Sequence, residues 1–334
     1  MNIEDLKTES FQKNWNLEEL LARLDEYLEK LNQSIYQEKQ SIDKTRFPVV
    51  FIVGVPRSGT TLLSQWLAAT GEFCYPSNFI SRFYKAPFLG GLIQELIFNK
   101  KYDYKNELNL SAENISFKSD LGKTVGILEP HEFWYFWRRF FNFPDIPVSN
   151  EIFSEKANFS DFIYEIDNFQ SVFNKPFFVK SLIINPYILS FAKNMKNAIF
   201  LFIKRDPVEN MISLLRTREK YFNDINIWYS FKPKEFEKLE SLDPYMQVAG
   251  QVYFTNMKIN EDLKEIPDSK KIITNYSDFC INPMLVYQEL RNKLEMNNYS
   301  LLNSYSGPQM FNAALKPLSE NNEFGKAYES VKTI

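Results

Sequence analysis

The chain has 334 residues, a formal net charge of −3, 31 Phe and 18 Tyr. That length suits one large α/β domain or two small ones, and the aromatic content supports a sizeable core. The charge leaves no basic footprint for nucleic acid, two cysteines make neither a disulfide framework nor a zinc site, and one histidine argues against a histidine-rich metal centre. The N-terminus, MNIEDLKTES, lacks the basic flank and apolar core of a signal peptide, and no apolar run reaches membrane-span length. A cytoplasmic protein without a transmembrane segment is therefore expected.

Residues 1–46 are polar and charged and form an expected N-terminal helical extension. Leu17, Leu20, Leu21, Leu24, Leu28, Leu31 and Ile35 recur at helical spacing, with Asn16 as the expected cap. This face packs on the main domain or, as the sharper alternative, on a second copy. Val49 to Val53 is a continuous apolar run, the pattern of a strand buried on both faces. Gly54 ends it, Pro56, Arg57, Ser58, Gly59, Thr60 and Thr61 make a turn, and Leu62, Leu63, Trp66 and Leu67 return at helical spacing. Strand, glycine-containing turn and helix together aim backbone N–H groups and a helix N-terminus at an anion.

Gly54, Gly59 and Thr61 fit the nucleoside-triphosphate pattern G-x-x-x-x-G-K-[ST], but Thr60 stands where its lysine belongs. Ordinary ATP or GTP hydrolysis is thereby disfavoured, and Arg57 supplies a cation from inside the loop. The loop GVPRSGTTLL resembles the 5′-phosphosulfate loop of sulfotransferases that use 3′-phosphoadenosine-5′-phosphosulfate (PAPS), in the PRSGTT form of tyrosylprotein and many bacterial members. Cytosolic members carry lysine at the place of Arg57.

Further along, Phe73 to Tyr75 is a possible short strand, and Phe88 to Asn99 a helix. The glutamate base of the tyrosylprotein members falls near Asn78, whose amide cannot take a proton. Lys100 to Gly126 is polar and irregular, a surface excursion or a substrate loop. In Leu128–Phe143, Pro130 is placed to begin a helix. Glu129, His131 and Glu132 cluster at that start, ahead of large aromatics, and His131 or Glu129 is the expected base.

Residues 158–174 read as a helix and Pro176 to Lys180 as a buried strand. The strand resembles the family's, which ends Lys-Thr-His. Lys180 matches the lysine implied to contact the sulfuryl group, while Leu182 replaces the histidine. Asn185–Met195 reads as a helix and Ala198–Ile203 as another buried strand. After it, Arg205 and Ser213 stand at the spacing of the family's 3′-phosphate pair. A guanidinium fork and a hydroxyl together suit a phosphate dianion. Residues 225–242 look variable. Residues 244–263 and 283–294 read as helices, 271–276 as a strand, and 301–334 as a tail without a clear period.

The expected fold is α/β, a central parallel sheet flanked by helices on both faces, and the resemblance makes it P-loop-containing and sulfotransferase-like over 47–300. The resemblance implies sulfuryl transfer from PAPS to a hydroxyl or amine, without a metal. Arg57, Lys180 and His131 or Glu129 are then catalytic, and Pro56, Arg57, Ser58, Gly59, Thr60, Thr61, Arg205 and Ser213 bind the nucleotide. The acceptor is open among small molecules, carbohydrates, lipids and peptides. The alternatives are a P-loop small-molecule kinase and a catalytically silent nucleotide-binding or scaffold protein.

Overall fold

A computed structural model describes residues 3–36, 42, 44–103, 105–110, 115–312 and 322–334. Parts of the irregular stretch (104 and 111–114) and of the tail (313–321) lie outside the described residues, as does the Ile35 side chain. Four parallel strands form the sheet: β1 (Val49–Val53), β2 (Phe177–Lys180), β3 (Ala198–Lys204) and β4 (Lys271–Asn275). Their spatial order is β2-β1-β3-β4. Val49 pairs with both Phe177 and Ala198, and Lys204 with Asn275. Phe73–Tyr75 contributes a single bridge, Cys74 to Phe177, at the outer edge of β2.

The apolar runs are continuous because alternate residues enter different cores. Val49, Phe51 and Val53 join Phe177, Phe200 and the helix α4 (Phe159–Phe173) on one face. Val50 and Ile52 join Phe178, Leu201 and Ile272 on the other, against α2 (Thr60–Ala69) and α7 (Pro283–Met296). A third cluster joins α5 (Pro207–Phe222), α6 (Pro244–Lys264) and α8 (Asn322–Val331). The tail therefore ends in a packed helix, with Ala327 and Val331 buried.

The N-terminal helix α1 (Trp15–Tyr36) buries Leu21 and Leu28, but leaves Leu20 and Leu31 more than half exposed. The apolar positions thus divide between an inner and an outer stripe. Asn14, not Asn16, caps it, accepting from the Leu17 N–H at 3.1 Å. Asn32 donates to Glu165 at 2.6 Å and ties the helix to α4. The helix α3 (Pro87–Phe98) matches expectation, with proline in its first turn.

The stretch after Leu128 departs from expectation. Helix occupies just one turn, Trp134–Trp137, preceded by Phe133 at φ 59°. Residues before it run extended against Pro76–Asn78. Pro130 bridges Ser77, the His131 N–H donates to Pro76 O at 2.7 Å, and the Asn78 N–H donates to Glu129 O at 2.8 Å. These backbone partners hold the residues at an isolated bridge, overriding the proline's preference for a first helical turn.

Candidate active site

The sheet order changes direction at β1, so its carboxyl end opens the crevice where α/β sheets bind ligands. The loop after β1 is fixed by groups from the 3-10 turn that follows β2, Leu182–Tyr187, and from α5. Asn185 donates to Gly54 O at 2.8 Å and accepts the Gly54 N–H at 3.2 Å. Asn210 donates to Pro56 O at 2.8 Å. Gly59, at φ 104°, lies against the Tyr276 ring, where any side chain would collide. Arg57 itself takes φ 72°, a left-handed turn that is uncommon for a residue with a side chain.

A cleft of about 960 Å³ opens over this loop. Pro56, Arg57, Gly59, Thr60, Thr61, Lys180 and Arg205 line it. Lys180, at the end of β2, donates to Thr61 Oγ1 at 2.8 Å and pairs with Glu132 at 2.6 Å. Arg57 Nε donates to Ser213 Oγ at 3.4 Å, and Arg205 Nη1 donates to Arg57 O at 3.2 Å. Residues far apart in the chain, 57, 205 and 213, are thereby joined. Arg205 also pairs with Glu209 at 3.1 Å and lies over the Tyr276 ring at 4.8 Å. Burial lowers the Arg57 pKa, and Arg205 adds to the effect, so an anion beside Arg57 would relieve both charges.

Ser58 is buried but turns back toward Gly54, and its hydroxyl has no partner among the described residues. Neither Ser58, Ser213, Glu129 nor His131 is among the residues lining the cleft. Glu129 is buried and accepts from Gln65 at 2.8 Å and from the Ser116 N–H and hydroxyl at 2.6 and 2.8 Å. His131 Nδ1 accepts the Phe133 N–H at 2.9 Å, and burial pulls its pKa down to about 4. Asn78 donates to Gly126 O at 2.8 Å and braces the irregular stretch. Leu182 lines the cleft at the place of the family's histidine.

Of the three acidic or histidine side chains clustered at 129–132, Glu132 is the one that lines the cleft, where Asp145, paired with Lys232, is a second carboxylate. Glu129 is held by Gln65 and Ser116 and His131 by the Phe133 N–H, while Glu132 pairs with Lys180 in the cleft, a distinction that a helical reading of 128–143 conceals.

The irregular stretch returns as a short hairpin, Ser119–Asp120 with Lys123–Thr124. At its tip Gly122, at φ 91°, lies over Lys180, Arg57 and Thr61; a Cβ there would sit 3.4–3.5 Å from all three side chains. Lys123 stands over the rings of Phe11 and Tyr221 at 5.1 and 5.8 Å, and Asp120 pairs with Lys220 at 2.6 Å. Ile3, Leu6 and Lys7 also line the cleft. The N-terminal segment is therefore part of the site wall, which its sequence did not signal. The described residues contain no group of three His, Cys, Asp or Glu suited to a metal ion, and no helix long and apolar enough to cross a membrane.

So assembled, the loop between β1 and α2 shares one cleft with three cations, Arg57, Lys180 and Arg205. The chain belongs to the sulfotransferase family, whose model matches residues 48–299. Among solved structures it is similar to sulfotransferase STF1 from Mycobacterium tuberculosis H37Rv, at 12% identity and a TM-score of 0.51 over 92% of this chain and 80% of that one. Sulfotransferase STF9 from Mycobacterium avium matches at 14% identity and a TM-score of 0.49, over 79% and 68%. No curated protein matches by sequence.

Proposed function

We propose that the protein transfers a sulfuryl group from PAPS to a hydroxyl or amine acceptor. The observation that carries this reading is the chain Thr61–Lys180–Glu132 beside Arg57, a carboxylate next to the cations of the donor loop in one cleft. Arg57, Lys180 and the amides after Gly59 fit the phosphosulfate end of the donor. Arg205 and Ser213, both tied to Arg57, fit its 3′-phosphate.

Glu132 takes the role that sequence reading gave to His131 or Glu129. It lines the cleft, and a carboxylate there can accept the acceptor's proton as the acceptor attacks sulfur. An imidazole with a pKa near 4 is a weak base and has one nitrogen already engaged. Lys180 orients Glu132 and, with Arg57, meets negative charge that grows on the departing phosphate oxygen. The chemistry is mainly positioning and electrostatics, without a metal.

Glu132→Gln tests the assignment. It should lose about 10²–10⁴-fold in kcat, with affinity for adenosine 3′,5′-bisphosphate nearly intact. Wild-type turnover by this variant, with a severe loss in His131→Ala, would return the role to the histidine. A homodimer through the outer stripe of α1, Leu20, Tyr27 and Leu31, is part of the same proposal; sedimentation of a Leu20→Glu variant as monomer against a wild-type dimer tests it.

A further inference from the structure

The segment Ile225–Phe231, variable-looking in sequence, supplies Ile227, Trp228, Tyr229, Ser230 and Phe231 to the cleft. Buried polar side chains of α5 and α6 hold it from behind. Arg218 Nη1 donates to Ile225 O at 3.1 Å and to Gln247 Oε1 at 2.6 Å. Its guanidinium lies 5.0 Å from the centre of the Trp228 ring. Gln251 Nε2 donates to Tyr229 O at 2.9 Å and to Phe231 O at 2.8 Å.

Arg218 is fully buried, and its Nε and Nη2 have no partner among the described residues. Burial lowers its pKa to about 10, so it stays charged at neutral pH. A buried charge without a carboxylate costs stability, so its retention calls for another reason. Among the described residues, its hydrogen bonds and ring contact lead to this segment or to Gln247 beside it.

Tyr229 is the residue that the clamp places most pointedly. Its ring packs edge-on against Tyr221 at 5.4 Å. It lies within electrostatic reach of both Arg57 and Glu132, the proposed donor cation and base. Its hydroxyl has no hydrogen-bond partner among the described residues, although the ring is largely covered. Burial raises its pKa to about 12, which keeps the phenol protonated and able to donate.

We propose that Tyr229 is a further catalytic residue, donating a hydrogen bond from the cleft wall to an oxygen of the sulfuryl group in transfer, and that Arg218 and Gln251 are positioning residues that hold it there. The proposal rests on the sulfuryl-transfer reading. In that step the acceptor oxygen bonds to sulfur while the bond from sulfur to the phosphate oxygen breaks. The electron pair leaves on the phosphate, and the acceptor's proton passes to Glu132. Tyr229 keeps its proton throughout and steadies charge on the sulfuryl oxygens beside Arg57.

The test is Tyr229→Phe in the full chain, assayed with PAPS and 2-naphthol, or with water as acceptor if naphthol is not taken. The variant keeps the ring and loses the hydroxyl. Its kcat should fall about 10²-fold, with acceptor KM and the Kd for adenosine 3′,5′-bisphosphate within about twofold of wild type. Arg218→Met should lower kcat in the same direction by a smaller factor, with Tm unchanged or raised, since it removes a buried charge. Wild-type kcat in Tyr229→Phe overturns the catalytic role. A lowered Tm with unchanged kcat in Arg218→Met overturns the positioning role. If the wild type neither binds the bisphosphate nor transfers sulfate, the underlying function falls instead.

Discussion

At position 131, burial and chemistry pull apart. The imidazole is pushed down from its ordinary 6.5 to about 4, so between those values the unfolded chain binds a proton that the native state refuses. Stability therefore rises with pH across that window. The contribution is complete above about pH 6.5 and is lost as pH falls toward 4, on the order of 3 kcal/mol. Denaturation of His131→Gln beside wild type at pH 7 and pH 5 checks this; the variant should lose less on acidification. Arg205 gives a second prediction at this scale. Arg205→Ala removes a charge-assisted contact proposed for the 3′-phosphate and should cost about 1.5–3 kcal/mol, or one to two decades in bisphosphate affinity by calorimetry. Unchanged affinity would remove it from the site. That Arg57, Lys180 and Arg205 meet at one cleft was legible, because each ends or follows a buried strand in a recognisable motif. The approach of Tyr229 to that cleft, and of Arg218 behind it, was not, because it comes from a fold that closes residues 225–231 onto the cleft.

Among the elements, the turn after β1 is the least tolerant. Gly59 has a backbone that side chains resist and has the Tyr276 ring where a Cβ would go. Gly59→Ala should cost about 2–4 kcal/mol from overpacking and left-handed strain together. Chemical denaturation measures it, and a change below the level of an ordinary surface substitution would mean that Tyr276 swings freely. The strands were readable from uninterrupted apolar runs, since both faces are covered. The stretch around Glu132 misled because Pro130 and clustered aromatics are compatible with helix. Its real partner, Pro76–Asn78, lies too far back in the chain for periodicity to reveal. The C-terminal helix escaped notice for a related reason: it buries few side chains, among them Ala327 and Val331, within a mostly polar run.

For the molecule as a whole, ligand binding and global stability are linked, because the site is built from the ends of separate strands. Adenosine 3′,5′-bisphosphate at about 100 times its Kd should add roughly 2.7 kcal/mol to unfolding and raise Tm accordingly. ADP and AMP at the same concentration, lacking the 3′-phosphate, should raise it much less. Equal stabilisation by all three would remove the 3′-phosphate from recognition. The position of β1 has a consequence for synthesis. It leads the sheet in the chain yet sits between β2 and β3, whose partner residues begin only at Phe177 and Ala198. At ribosomal speeds of about 5–20 residues per second, Val49–Val53 waits on the order of ten seconds for its neighbours. During that wait an apolar, β-forming pentapeptide has no native edge to join. Nascent chains halted before Ala198 should therefore be readily cleaved by protease and held by chaperones, while those released after β3 should be more resistant, since both edges of β1 are then paired.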